Sequence, residues 1–348
     1  MAESPVYRTA IFRHRHHFIL LGALMILAPQ IAPARAQSDW PAVEAAAKKE
    51  GKVVVYSGAS PASTPQAIAL FEQKYGIPVE IIIGRGGEIR ERARTELGAG
   101  RSIGDVVLNG VTTSSEQAVA GDFQTYGALP RAGQLVAPFT NDGILMPIYT
   151  TSWGILINTS LVAKADEPGS WADLTDQKWR GKLLSDNPMS PGGGQSTYAV
   201  FFEKFGKPFL EKLTAQKPDL SNQYTNAQQR VARGEFSVYF PFIVSEIFNL
   251  QGLPVKGILP SEGKTYSYQA ASIMKNAPHP NAARLFIDFL LSDEVQATFA
   301  NRGYGSPTGA TSSTVPSDLK PLFGGKLLGF ADTAMRERAD PTIKALFR

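Results

Sequence analysis

Short aliphatic runs alternate with amphipathic stretches along this chain, and that alternation restricts it to a sheet of largely parallel strands covered by helices. Val43 to Lys49 reads as a short helix that stops at Gly51. Val53-Val54-Val55-Tyr56 then offers no polar face, as expected of a strand buried on both sides. It ends in the small-residue loop Ser57-Gly58-Ala59-Ser60. Thr64 is placed to cap a helix with Pro65 at its first position, and Ile68, Phe71 and Tyr75 share one face before Gly76 terminates the turn. Pro78 to Ile83 is the next strand, and Gly84-Arg85-Gly86-Gly87 turns it into a helix whose Ile89, Ala93 and Leu97 align. Gly104 to Leu108 is a third strand.

The pattern resumes at a second centre. Ile144 to Asn158 reads as a long strand-rich stretch, Leu183-Leu184-Ser185 as a buried strand, Thr197 to Phe205 as a helix and Phe236 to Phe240 as a strand. Ala283, Phe286, Ile287 and Leu290 mark an amphipathic helix that breaks at Ser292-Asp293 and resumes through Val295 and Phe299, with Ser292 as the expected N-cap. No low-complexity linker separates the two centres. Two lobes joined by extended strands fit this better than two independent domains.

The first 36 residues have a different purpose. Arg8, Arg13 and Arg15 precede the apolar run Phe18 to Ala28, which Pro29 and Pro33 follow before Ala34-Arg35-Ala36. This is the pattern of a secretory signal cleaved after Ala36, and the run is shorter than the roughly 18 residues of a membrane span. Cleavage removes four arginines and one glutamate, so the formal charge of +4 falls to nearly zero. A near-neutral chain has no field for nucleic acid or anionic membranes. His14, His16 and His17 leave too, only His279 stays, and there is no cysteine. That composition speaks against structural zinc, against histidine-based nucleophilic catalysis and against a lipid tether on cysteine. No cofactor and no metal are expected.

Three catalytic motifs begin and fail. Gly263-Lys264-Thr265 resembles the end of a phosphate-binding loop, but Ile258 occupies the position of its first glycine. Gly84-Arg85-Gly86 opens a dinucleotide fingerprint whose third glycine is replaced by Ile89, and Gly194-Gln195-Ser196 opens a nucleophile elbow that ends on Tyr198. What remains are glycine- and hydroxyl-rich loops at strand ends, ahead of helices whose N-termini suit anions. Arg85 adds a cation able to grip a carboxylate or phosphate in a bidentate fork, and Ser190-Pro191-Gly192-Gly193-Gly194-Gln195-Ser196 holds the equivalent place in the second unit.

Taken with VVVYSGAS from Val53, GDVVLNG from Gly104, WGILINTSLV from Trp153, WADLTDQKWRGKLLSDNP from Trp171 and HPNAARLFIDFLLSDEVQ from His279, the chain resembles a periplasmic substrate-binding protein of an ABC importer. The group it resembles is the extracellular solute-binding one that includes the bacterial ferric-iron-binding proteins. The resemblance implies the α/β type II periplasmic-binding-protein fold, two α/β lobes joined by hinge strands, with a ligand held between them. Lobe 1 would comprise residues 37–108 with about 115–135 and 268–302, and lobe 2 residues 137–265 with about 303–348. By position, the lobe 1 contacts are Ser57, Gly58, Ala59, Ser60, Arg85, Gly86, Gly87, Asn109 and Thr112. Lobe 2 contributes Asn187, Ser190, Gly193, Gly194, Gln195, Ser196, Asn226, and Pro241 with Phe242 after a strand, while Tyr149 and Trp153 lie nearer the crossover.

The resemblance further implies a monomeric, non-enzymatic periplasmic carrier that delivers its ligand to an inner-membrane ABC permease. Iron-binding members carry a tyrosine pair after the strand that here reads Ser237 to Phe240, whereas this chain has Pro241-Phe242-Ile243. A small organic anion bearing a carboxylate, phosphate or phosphonate therefore fits Arg85 and the helix N-termini better than ferric iron. Two alternatives stay open: iron held through Tyr239, Tyr266 or Tyr268 with an external anion, and an exported hydrolase using Ser196 or Asp186.

Overall fold

The computed structural model describes residues 40–58, 64–190 and 192–347. The expected leader, Ala59 and Ser60 lie outside the described residues. The first half runs α1 (Trp40–Glu50), β1 (Val53–Ser57), α2 (Thr64–Tyr75), β2 (Val79–Ile83), α3 (Gly86–Gly98), β3 (Val106–Gly110), α4 (Val111–Ala120) and β4 (Phe123–Gln124). The chain then passes through β5 (Met146–Asn158), β6 (Leu183–Asp186), α5 (Gly193–Ala215), β7 (Asp219–Ser221), α6 (Tyr224–Ala232), β8 (Val238–Ile243) and β9 (Val255–Ile258). It closes with β10 (Lys264–Met274), α7 (Pro280–Leu290), α8 (Asp293–Ala300), α9 (Lys320–Phe323), β11 (Leu327–Gly329) and α10 (Thr333–Leu346).

The strands form one sheet in the order β2-β1-β3-β10-β5-β8-β6-β7. Two parallel trios stand at its ends, β2-β1-β3 and β8-β6-β7. The antiparallel strands β10 and β5 join them. All five residues of β1 are buried, as its lack of a polar face requires. Each half has its own apolar interior. In the first, Phe71 of α2 meets Phe286 of α7 edge-on at 5.1 Å, within a cluster that also takes in β1, β3 and α8. In the second, Trp171, Tyr198, Phe201 and Phe240 pack between α5, β8 and α10. Full burial of each such ring contributes about 1.5–3 kcal/mol.

Four local expectations are corrected. Helix α5 starts at Gly193, not Thr197, so Gly193 to Ser196 form its first turn instead of a preceding loop. It bends at Gly206, whose φ of 75° favours glycine, just ahead of Pro208. Strand β8 runs on through Pro241 and Phe242 to Ile243, so these residues do not follow a strand. Thr64 lies within α2, not before it, and its buried hydroxyl has no hydrogen-bond partner among the described residues. Ser292 does sit at the N-cap position of α8, yet its hydroxyl makes no cap bond.

Candidate functional site

The register of the central strands brings the two trios head-on. Gly110, at the end of β3, pairs with Gln269 of β10, which pairs in turn with Tyr149 of β5. Ile243, at the end of the oppositely directed β8, pairs with Trp153 of β5. The two sets of strand ends thus point toward each other, offset along β5 by four residues, about 13 Å at 3.3 Å per residue. That gap suits a small molecule, and the loops and helix starts on its two sides are those singled out from the sequence.

On the first side, Ser57 pairs with both Ile83 and Leu108, so β1 and β2 end level while β3 runs two residues further, to Gly110. Asn109 is buried there; its amide donates to the Gly86 carbonyl at 3.0 Å and accepts from the Gly110 N–H at 2.9 Å. A methyl group on Gly58 would lie 2.2 Å from the Asn109 oxygen, and one on Gly86 2.7 Å from it. Gly58, Gly86 and Asn109 therefore form one tight junction, with both Asn109 amide atoms engaged within it. Arg85 is exposed at the N-cap of α3, where its backbone N–H donates to the Glu88 carboxylate at 2.9 Å. The Arg85 guanidinium has no carboxylate within ion-pair distance among the described residues, unlike Arg90, Arg92 and Arg94 on the same helix. Gly87 is exposed beside it, with open space where a side chain would sit. Thr112, in the first turn of α4, lines a cavity of about 460 Å³ shared with Phe330, Asp332 and Thr333.

On the second side, β6 ends at Asp186. The Tyr239 hydroxyl of β8 donates to its carboxylate at 2.5 Å, and burial pushes the Asp186 carboxyl up to about 6 against that bond. The Tyr239 phenol is itself driven well up by burial, so it is protonated. Gly194 packs against this corner: an added methyl would lie 2.7 Å from the Asn187 carbonyl and 2.9 Å from the Asp186 Cβ. Gly193 sits over Trp153, whose buried indole N–H has no partner among the described residues. Asn187 and Ser190 both donate to the Asn222 side chain, at 3.0 and 2.8 Å. Gln195 and Ser196 are half-buried in the first turn of α5.

Asn226 is exposed in an open groove with Asn222, Arg230 and Glu235, where Arg230 is already paired to Asp219 and Glu235. Pro241 and Phe242 stand apart from the rest. Both are buried, and Phe242 belongs to an apolar cluster with Leu156, Leu184 and Val231 and lies edge-on to Tyr239. The three phenols considered for iron separate likewise: Tyr239 holds Asp186, while Tyr266 and Tyr268 pack edge-on against Phe139. His279 is bound to buried Asp105 through its ring and its backbone N–H, at 2.9 and 2.7 Å.

Asp186 and the unpartnered Trp153 indole stand out as polar groups whose place at the gap the sequence did not reveal. From the sequence, Asp186 stands out only as a residue of the hydrolase alternative and Trp153 only as an aromatic near the crossover. Tyr304 is a third, half-buried against Tyr149.

Known proteins share this fold. Residues 57–297 match the family of bacterial extracellular solute-binding proteins. A putative 2-aminoethylphosphonate-binding periplasmic protein of Salmonella typhimurium is 25% identical over 264 residues, 71% of this chain and 74% of its own. Among solved structures, iron-bound HitA of Pseudomonas aeruginosa superposes with a TM-score of 0.66 at 21% identity, over 85% of this chain and 99% of HitA. The periplasmic binding protein AfuA of Actinobacillus pleuropneumoniae, with fructose-6-phosphate bound, superposes at 0.61 and 23% identity, over 85% and 98%. The fold is the type II periplasmic-binding one anticipated from the sequence, and with more than half of its length matched, the chain belongs to the bacterial extracellular solute-binding proteins, the solute-capturing components of ABC importers.

Proposed function

We propose that this solute-binding protein captures a small organic anion carrying a phosphonate, phosphate or carboxylate group in the gap between its strand ends, and presents it to an inner-membrane permease. The observation that carries the reading is Arg85: an exposed guanidinium without a counter-charge among the described residues, at the start of α3 and beside the ends of β1 and β3. A bidentate guanidinium beside helix N-termini is a favourable seat for an oxyanion. The names of two relatives support it, since 2-aminoethylphosphonate and fructose-6-phosphate both end in a phosphorus oxyanion. Residues 37–108 with about 115–135 and 268–302 would form one lobe, and 137–265 with about 303–348 the other. The chain would act in the periplasm as a monomer after losing its leader at Ala36, and would carry out no chemistry. In keeping with that, its remaining histidine is tied to Asp105, far in sequence from Ser196.

Ferric iron is the second reading, favoured by the iron-bound HitA structure, whose likeness is one of fold. Thermal melting against phosphonates, sugar phosphates, carboxylates and ferric citrate separates the two. A ligand at a hundred times its Kd adds about 2.7 kcal/mol of stability. A shift with an oxyanion supports the proposal; a shift with ferric citrate alone overturns it.

A further inference from the structure

The two sides of the gap carry opposite charge. Arg85 stands without a counter-charge on the first side, among the described residues. On the second, Asp186 is a mostly buried carboxylate with one bond to the neutral Tyr239 hydroxyl and no Lys, Arg or His within ion-pair distance among the described residues. The titratable groups that bear on it are both phenols, Tyr239 of β8 and Tyr198 of α5, and neither supplies positive charge. Glu246, just beyond β8, adds a second carboxylate that acts on Tyr239 and Tyr304. A buried carboxylate is retained at a cost unless a cation neutralises it, and the described protein supplies none here.

We infer that the ligand supplies it: the solute is a zwitterion whose primary ammonium ion-pairs with Asp186 while its oxyanion meets Arg85. This rests on the anion reading of the same gap. An ammonium has three N–H donors, and the Asp186 oxygen not engaged by Tyr239 has no partner among the described residues and can accept one. Tyr239, by donating to the other oxygen, fixes the carboxylate so that its free oxygen is presented without rotation. Gly86, next to Arg85, packs on Asn109 at the end of β3, while Gly194 packs on Asp186 and Gly193 on Trp153 of β5, so both charged groups border the same two central strands.

The test uses two matched pairs in calorimetric titrations of the full chain, 2-aminoethylphosphonate against ethylphosphonate and β-alanine against propionate. The amine should improve affinity roughly 10–100-fold within at least one pair, the range expected for a hydrogen bond to a charged group. Asp186→Asn should abolish that ratio by weakening the amine-bearing ligand, while the amine-free partner binds at least as tightly as to the wild type. Equal affinity for amine and amine-free partners in the wild type overturns the inference and leaves the anion reading standing. Equal loss of both partners in Asp186→Asn likewise overturns it. If none of the four binds, the anion reading fails for these head groups and the inference falls with it. The wild-type comparison needs no variant, so a poorly folding Asp186→Asn does not obscure the answer.

Discussion

Replacing Asp186 with asparagine should make the unliganded protein more stable at neutral pH, a result opposite to that of most changes at buried polar positions. The carboxyl is pushed from 3.8 up to about 6, chiefly by burial and against the Tyr239 hydrogen bond. Its folded value therefore lies above its unfolded one. Between about pH 4 and 6 the folded chain binds the proton more tightly than the unfolded chain, so stability falls as pH rises through that window. Above it the deficit is constant, and about two pH units correspond to about 3 kcal/mol. Asparagine removes the charge and keeps an oxygen for the Tyr239 hydroxyl. Thermal melts of wild type and Asp186→Asn from pH 4 to 8 should give a variant with a Tm higher by roughly 5–10 °C at pH 7.5, the gap closing toward pH 4. A variant that melts lower at pH 7.5, or a gap independent of pH, refutes the assignment of Asp186 as an uncompensated carboxylate.

Three further outcomes follow from the same geometry. Gly58→Ala places a methyl 2.2 Å from the Asn109 oxygen and 2.9 Å from the Gly86 Cα, so it should cost about 1–3 kcal/mol in denaturant melts and weaken ligand binding by displacing the start of α3. Asp105→Ala strips the Val54 and His279 backbone N–H groups of their buried acceptor, and should cost roughly 3–5 kcal/mol in the same melts without changing ligand affinity in the fraction that remains folded. Ferric citrate added to the purified protein should leave it colourless, because Tyr239 is committed to Asp186 while Tyr266 and Tyr268 pack against Phe139; a visible tyrosinate-to-iron absorption band contradicts this.

Features written in local pattern were legible from the sequence; those made by distant parts of the chain were not. β1 and β3 announced themselves because their runs Val53 to Tyr56 and Val106 to Leu108 offer no polar face. Arg85 and the glycine loops were legible for the same local reason, since each stands directly between a strand and a helix. Pro241 misled because proline usually ends a strand. Here it falls one residue beyond the last β6 pair, Ser185 with Phe240, and at the irregularity in the pairing with β5, where no N–H is required. The strand consequently continues and carries Phe242 into the core. The start of α5 was hidden because Gly193 and Gly194 have poor helix propensity, yet close contacts with Trp153 and Asn187 leave room for nothing larger. Tyr239 and Asp186 are 53 residues apart, and only the parallel pairing of β6 with β8 brings them together. No local spacing encodes such a pair.

The central claim, that Arg85 anchors a small oxyanion between the strand ends, is tested most directly by calorimetric titration of wild type and Arg85→Ala with the best phosphonate or phosphate from the melting panel. The account predicts one site per chain, with Arg85→Ala weakening it roughly 10–100-fold at unchanged Tm, because the exposed guanidinium has no ion-pair partner among the described residues to lose. Equal affinity in the two proteins would contradict it.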